Sequence, residues 1–402
     1  MNTTELFLVA LAVIFTVPYA IWRLARTEYF APLVVVQIVA GVILGPGLLG
    51  GMFPEIYQAV FTKSVVDGLN GLAWWAVSLF VFFAGLELDL NRLKRNRSDA
   101  AITAGLALGS PLIICSAFAF LLLQAMPELK GPRAQDWQFV TAIGMAAAVT
   151  ALPILVLFMQ KLQILRRPLG QRILSYASLD DIAIWAVLAF ILMDWQRLGN
   201  QALFLAIYMI AAVNMSRLLR ALPESDRVYV SVIWLVLVSL GADWCGLHYM
   251  VGAFLAGVAL DRKLFDQEYL DRMRDTVLLL MMPVFFLSTG LRTNWELGGA
   301  WVIALAVCMF AIQIASKMAG IWMAGRLLQW PPGESALVGF LLQTKALIEI
   351  IFVTVLLDKG IITSTMFTVM LLMAIMSTMI TIPAVTPLLR KYPHLVDKHD
   401  KH

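Results

Sequence analysis

Residues 172–193 read RILSYASLDDIAIWAVLAFILM, an apolar stretch of membrane-spanning length that carries two adjacent carboxylates, Asp180 and Asp181. A charged side chain at the centre of a membrane helix costs of order 3 kcal/mol, so buried carboxylates usually mark a path for ions or protons. Neighbouring side chains on a helix point about 100° apart, so the two carboxylates face different surroundings. The stretch therefore predicts a membrane helix with two distinct buried acidic groups.

The whole chain has the composition of a membrane protein. Of its 402 residues 61% are apolar and 14% are charged, and its mean hydropathy is +0.83. Soluble domains carry roughly 25% charged residues, so a soluble enzyme of this length is excluded. A membrane helix needs about 20 apolar residues. The apolar stretches predict an all-α polytopic protein with thirteen such helices, whose approximate cores are 6–22, 32–49, 72–88, 100–125, 135–160, 172–193, 202–216, 228–242, 246–260, 277–291, 299–325, 334–357 and 363–389.

The basic residues predict how the chain is oriented in the membrane. The loops that follow odd-numbered helices, together with the tail, hold 22 Lys and Arg residues, whereas the opposite loops hold six. By the positive-inside rule, the N-terminus lies outside and the C-terminus in the cytoplasm of a cell (inner or plasma) membrane. The formal charge of +4 then reflects topology and not a nucleic-acid surface. We expect one transmembrane domain over residues 1–390 and a short, solvated cytoplasmic tail over 391–402.

Two groups of similar segments indicate an internal repeat. Residues 40–44 (AGVIL) resemble 256–260 (AGVAL), and residues 81–86 (VFFAGL) resemble 284–291 (VFFLSTGL), in each case seven helices later. An odd helix offset turns the second copy upside down, which gives the inverted-topology repeat found in many secondary transporters.

This repeat sets the expected architecture. Its halves are predicted at about residues 32–193 and 246–389. Two G-x-x-x-G pairs, Gly41 with Gly45 and Gly105 with Gly109, are typical of close packing between membrane helices. We expect all four glycines to serve such packing.

Two segments in corresponding positions of the repeat are expected to be irregular. Val149-Thr150-Ala151-Leu152-Pro153 interrupts the fifth helix, and Gln343-Thr344-Lys345-Ala346-Leu347 lies in the twelfth. Proline inside a helix removes an amide donor and clashes with the carbonyl four residues before it. The freed backbone groups can coordinate an ion where they line a protein cavity. The alternative is a simple proline kink.

Ionisable side chains from separate helices lie at similar depth. At 1.5 Å per residue, the carboxylate pair, Thr150 and Lys345 lie about 12 to 16 Å from the charged residues near the inner ends of their helices. With Lys317 and Glu349 included, the buried groups are three carboxylates and two amines. One carboxylate therefore requires a cation or a proton. Lys345 and Glu349, four residues apart, can pair with each other, and Lys317 is expected to snorkel toward the inner surface, away from the site.

The chain resembles the monovalent cation:proton antiporter-2 family, which includes the Kef-type and bacterial sodium/proton exchangers. The resemblance spans about residues 40–385. It is carried by six motifs in a fixed order, Gly85-Leu86-Glu87-Leu88-Asp89, Thr150-Ala151-Leu152-Pro153, Ser178-Leu179-Asp180-Asp181-Ile182-Ala183-Ile184-Trp185, Gly252-Ala253-Phe254-Leu255-Ala256-Gly257, Pro283-Val284-Phe285-Phe286 and Thr344-Lys345-Ala346-Leu347-Ile348-Glu349.

The resemblance implies the sodium/proton antiporter fold, in which two crossed, unwound helices meet the carboxylate helix in each protomer of a homodimer. It implies that Asp181 carries the transported cation (Na⁺, or K⁺ or Li⁺) and the proton. It also implies that Asp180 pairs with Lys345 and that Thr150 contacts the crossing. Around these residues, Pro153, Thr344 and Glu349 are expected to support the site. If the cation displaces the lysine from Asp180, the lysine can release a second proton, which makes exchange electrogenic.

Two other functions compete with antiport. A cation channel requires charges or carbonyls along an open pore, whereas the charges here cluster at one depth. A carrier of small organic anions can share the inverted repeat, but the acidic pair favours inorganic cations. Asp180 and Asp181 are neighbours on one helix, which does not suit an aspartyl protease. No G-x-G-x-x-G follows a strand pattern, so we expect no nucleotide-binding domain in this chain and no cofactor.

Overall fold

The computed structural model describes residues 2–27, 33–45, 49–87, 97–165, 167–193, 198–290, 292–293, 299–345, 347–393 and 395. Four predicted features fall outside these residues: the end of the first family motif at Leu88 and Asp89, Leu291 in the repeat, Ala346 in the second irregular segment, and most of the tail. Within the described residues, all of the long secondary-structure elements are helices.

The helices follow one another with short connections. In chain order they are α1 (Thr3–Leu24), α2 (Leu33–Leu44), α3 (Leu49–Met52), α4 (Pro54–Val60), α5 (Lys63–Leu86), α6 (Arg97–Ala125), α7 (Asp136–Ala148), α8 (Leu152–Lys161), α9 (Pro168–Ile191), α10 (Leu198–Ala221), α11 (Glu224–Trp244), α12 (Tyr249–Val258), α13 (Gln267–Thr276), α14 (Met282–Gly290), α15 (Gly299–Leu327), α16 (Glu334–Leu341), α17 (Leu347–Asp358) and α18 (Ser364–Lys391). A π-helical turn, Val277–Met281, joins α13 to α14.

Within the described residues, helices lie at all thirteen predicted positions. Nine helical spans within the described residues are long and apolar enough to cross a membrane, and a tenth, Leu33–Met52, includes three residues outside the described part of the chain. The other three predicted segments are the short helix α12 and two interrupted helices, α7–α8 and α16–α17. The tenth segment is longer than predicted because the charged helix α13 precedes its apolar core.

The chain divides into two compact units. The first comprises residues 1–16, 49–89 and 185–288, and the second comprises 17–48, 90–184 and 289–402. In the first unit, α5 packs along α12 and α12 packs along α11. The predicted halves of the repeat, 32–193 and 246–389, stay a prediction.

The second unit is built on two long helices, α6 and α15, which pack side by side. Ser110 of α6 donates a hydrogen bond to the Ser316 carbonyl of α15 at 2.9 Å. Helix α7 packs on α6, while α16 and α18 pack on α15. The tail contributes to this unit as well, since Leu395 is buried in its apolar core, whereas we expected a solvated tail.

Two close helix crossings, one in each unit, are formed by glycines that correspond to each other in the sequence repeat. In the first unit, a Cβ added to Gly85 of α5 would lie 3.2 Å from the Cα of Gly257 in α12. In the second unit, a Cβ added to Gly290 of α14 would overlap the backbone of Gly41 in α2. In the sequence repeat, Gly41 corresponds to Gly257 and Gly85 corresponds to Gly290. The crossing of α14 with α2 is therefore the repeat equivalent of the crossing of α5 with α12.

One of the two predicted G-x-x-x-G packing sites is confirmed and the other is wrong. A Cβ on Gly45 would lie 2.6 Å from the Gly290 carbonyl oxygen, so this pair does permit close backbone approach. Nothing lies within 4 Å of a Cβ added to Gly105 or to Gly109. The motif specifies small residues on one helix face, but it does not specify that another helix covers that face.

We predict that Gly290→Ala destabilises the protein by about 1–3 kcal/mol, because the methyl group would force α14 away from α2. Gly105→Ala is the matched control, a substitution in open space within a helix, and should be neutral or slightly stabilising. Thermal unfolding of both purified variants in detergent compares them. Equal melting temperatures for Gly290→Ala and Gly105→Ala would contradict the crossing.

Candidate functional site: a crossing of two broken helices

The first irregular segment separates α7 from α8 inside the second unit. Val149 (φ −66°, ψ 153°) and Ala151 (φ −85°, ψ 102°) have extended backbones. Pro153 stands in the first turn of α8, where its missing amide costs no hydrogen bond. The prediction of a break at this position is confirmed, and it is not a simple kink, because the residues before the proline leave the helix altogether.

The second irregular segment separates α16 from α17 and contacts the first. The Ala151 amide donates a hydrogen bond to the Thr344 carbonyl at 2.7 Å, and Thr150 Oγ1 donates to the Leu342 carbonyl at 2.9 Å. Both threonines are fully buried. Each break thus satisfies backbone groups that the other exposes, which confirms the prediction of two crossed, unwound helices.

Two buried lysines cap the carbonyl end of α7. The last four carbonyls of a helix lack partners within it, and in α7 these belong to residues 146–149. Lys345 Nζ donates to the carbonyls of Ala146 (3.1 Å), Ala147 (2.6 Å) and Val149 (2.9 Å). The remaining carbonyl, of Ala148, accepts from Lys317 Nζ at 2.7 Å. Positive charge at this position also complements the helix dipole.

The ion pairs differ from those expected. Asp180 Oδ2 lies 3.6 Å from Lys317 Nζ, and Lys345 Nζ lies 3.8 Å from a Glu349 carboxylate oxygen. The predicted pairing of Asp180 with Lys345 is therefore wrong in this structure. So is the expectation that Lys317 snorkels outward, because its side chain is 0% exposed and contacts Thr150 Oγ1 at 2.6 Å.

The two lysines differ in how many acceptors they satisfy. Lys345 Nζ has three backbone acceptors, which only the three N–H donors of an ammonium can satisfy together. Lys317 Nζ donates to two acceptors, Ala148 O and Thr150 Oγ1, and a neutral amine also has two N–H donors. Loss of a proton from Lys317 would end its charge pairing with Asp180 but would keep both of these hydrogen bonds, whereas loss of a proton from Lys345 would break one of its three.

The three carboxylates differ in their access to solvent. Asp181 is 8% exposed, compared with 1% for Asp180 and 0% for Glu349. Asp180 faces Lys317 and Glu349 faces Lys345. Asp181 is thus the least completely buried of the three carboxylates.

A polar network behind the second break is absent from the sequence-based prediction. Gln313 Nε2 donates to Gln343 Oε1 at 2.5 Å, and Ser377 Oγ lies 2.7 Å from the Gln343 carbonyl. The Lys345 amide donates to Thr378 Oγ1 at 3.2 Å. A sequence signal for part of it exists, because Gln313 and Lys317 are four residues apart and share one face of α15.

Comparison with known proteins assigns the chain to a group of transporters. The family model described as "Sodium/hydrogen exchanger, transmembrane" matches residues 10–391. The Na(+)/H(+) antiporter NhaS4 of Synechocystis is 27% identical, over 96% of this chain and 98% of that protein. Cation/H(+) antiporter 17 of Arabidopsis thaliana is 30% identical over 88% of this chain, which spans 45% of that longer relative.

A solved structure shares the fold. The sodium proton antiporter MjNhaP1 of Methanocaldococcus jannaschii superimposes with a TM-score of 0.66 at 12% sequence identity, covering 98% of each chain. The sodium/proton antiporter fold implied by the sequence motifs is confirmed by this match.

The geometry predicts that Asp180 is energetically coupled to Lys317 more strongly than to Lys345. Lys317→Met should cost about 3–5 kcal/mol, because it strands Asp180 in the interior. Adding Asp180→Asn to that variant should recover part of the loss. Double-mutant cycles on the free energy of unfolding, one with Lys317 and a control cycle with Lys345, measure both couplings. A larger coupling in the Lys345 cycle would refute the ion pairs described above.

Proposed function

Because the chain belongs to the sodium/hydrogen exchanger transmembrane family, we propose that it is a secondary antiporter that exchanges a monovalent cation for protons at Asp181. The observation that carries this assignment is the position of Asp181. It lies on α9 beside a cluster of fully buried charges, and it keeps the largest exposure of the three carboxylates. A group that exchanges ions with water must be buried enough to occlude its ion and open enough to load it.

The ion pairs of the cluster argue against the other two carboxylates as the carrier. Lys317 and Lys345 balance Asp180 and Glu349 at 3.6 and 3.8 Å. In the proposed cycle Asp181 binds a proton and a transported cation in alternation. Because one carboxylate binds either the proton or the cation but not both, the proton flux and the cation flux are coupled.

Asp180 and Lys317 supply a second proton in the proposed cycle. A cation bound at Asp181 attracts the neighbouring carboxylate Asp180, which weakens its contact with Lys317. Lys317 then releases a proton as a neutral amine and keeps its bonds to Ala148 O and Thr150 Oγ1. Two protons leave as one cation enters, so a net charge crosses the membrane in each cycle.

The same cluster argues against the two competing transport functions. A carrier of organic anions needs free cationic donors, yet the three donors of Lys345 are used by backbone carbonyls. A channel needs carbonyls that face a pore, and the carbonyls at the end of α7 face two ammonium groups instead. The antiporter relatives likewise indicate a transporter rather than an enzyme.

Further details belong to the same proposal. Sodium is the expected cation, with potassium or lithium as alternatives, and no organic cofactor is needed. The loop charges support an N-terminus outside and a C-terminus in the cytoplasm of a cell (inner or plasma) membrane. We expect a homodimer in contact with membrane lipid.

Asp181→Asn should abolish cation:proton exchange while the protein stays folded, because an amide cannot alternate between a proton and a cation. The assay is proton movement upon addition of Na⁺, K⁺ or Li⁺ to acid-loaded proteoliposomes. Glu268→Gln is the control, since the Glu268 side chain is 81% exposed on α13, and it should retain exchange. Transport by folded Asp181→Asn would remove Asp181 from its proposed role.

Wild-type exchange should respond to an imposed membrane potential, and Asp180→Asn should make any remaining exchange indifferent to it. Without Asp180, Lys317 loses its anionic partner and stays a neutral amine, so one proton moves per cation. Currents on a solid-supported membrane report the difference. Glu349→Gln removes the other paired carboxylate and should leave the voltage response in place. A wild-type protein that ignores the potential would reject the two-proton cycle but not antiport at Asp181.

A further inference from the structure

The surroundings of the Lys345 ammonium have the composition of a monovalent-cation site. Three backbone carbonyl oxygens lie 2.6–3.1 Å from Nζ. The carboxylate of Glu349 completes the group at 3.8 Å. Backbone carbonyls are the ligands that replace the hydration shell of potassium in selective filters, and carbonyl ends of broken helices coordinate sodium in transporters.

The carboxylate oxygens of Glu349 are able to act as ligands of a cation. Neither of its carboxylate oxygens accepts a hydrogen bond, although the side chain is 0% exposed. The Lys345 donors point to carbonyls, so the pair interacts through charge alone. A carboxylate without hydrogen bonds is costly to bury, and a cation at this position is what offsets the cost.

The lysine fills this site from within the chain. Lys345 lies in the unwound segment between α16 and α17. Its side chain reaches the end of α7, and its three acceptors come 196 to 199 residues earlier in the sequence. An ammonium and a dehydrated potassium ion are similar in size and charge. The side chain is therefore a tethered equivalent of a bound cation.

We propose that the carbonyls of Ala146, Ala147 and Val149 with the Glu349 carboxylate form a second monovalent-cation site, which the ammonium of Lys345 occupies permanently. This proposal rests on the proposed antiport function and deepens it. With the second site filled by the chain, the core is left with one place for a transported cation, beside Asp181. Lys345 is then a specificity-determining residue that fixes the number of cations carried in each cycle.

Removing the side chain tests whether a free cation takes its place. Lys345→Ala empties the site, Lys345→Met fills the same volume without charge, and Lys345→Ala/Glu349→Gln removes the anionic ligand as well. Each full-length variant is purified in detergent, and its melting temperature is followed as KCl or methylammonium chloride replaces choline chloride at constant ionic strength. Choline is too large for the site. Equilibrium binding of ²²Na⁺ to the wild type counts its cation sites.

The proposal predicts a saturable rise in melting temperature for Lys345→Ala with K⁺ or methylammonium, beyond that of the wild type. Lys345→Met should lack this rise, and the double variant should need at least tenfold more cation. If Lys345→Ala is unfolded in choline, methylammonium should recover it.

Four results would overturn the proposal. They are a Lys345→Ala protein that responds no more than the wild type, an equal response from Lys345→Met, failure of both cations to recover an unfolded Lys345→Ala, or two ²²Na⁺ ions bound per wild-type chain. Because melting temperature does not depend on transport, a wild-type protein without exchange would defeat the proposed function and leave this test intact.

Discussion

The structure depends on the capping of one helix end in the interior. Helix α7 ends at Ala148, in the buried interior. Each of the four carbonyls of residues 146–149 accepts a hydrogen bond from Lys317 or Lys345. Unpaired carbonyls in an apolar environment each cost several kcal/mol, which is why irregular backbone is rare at membrane depth. The two ammonium groups make the break possible, and the crossing with the second break follows from it.

Each of these ammonium groups then requires a carboxylate, and the site follows from that requirement. Lys317 forms an ion pair with Asp180, and Lys345 forms one with Glu349. The neighbouring Asp181 adds a third carboxylate to this cluster, and in the proposed cycle it binds the proton or the transported cation. The lysines that stabilise the broken helix therefore also determine the charge of the site at which exchange is proposed. The two lysines also differ in their hydrogen bonds, because Lys345 Nζ has three acceptors and Lys317 Nζ has two.

The sequence predicted the helices, the two breaks and the acidic pair, because apolar length, proline and buried charge are properties of single segments. It did not predict which lysine faces Asp180. Depth along a helix follows from counting residues, but the direction of a side chain depends on how neighbouring helices are rotated. Depth alone does not place Lys317 at the site, although Gln313, one turn earlier, marks a polar face of α15. Gly105 and Gly109 illustrate the same limit, since a small-residue face does not reveal what covers it.

The central claim is that the two buried lysines have different protonation behaviour, and the ¹⁵N resonances of their Nζ atoms test it directly. Protein labelled with ¹⁵N-lysine, with signals assigned through single Lys→Arg variants, is compared with and without saturating Na⁺. We predict that Lys317 changes from ammonium to neutral amine when the cation binds, while Lys345 stays an ammonium. An unchanged Lys317, or a Lys345 that loses its proton, would contradict the account.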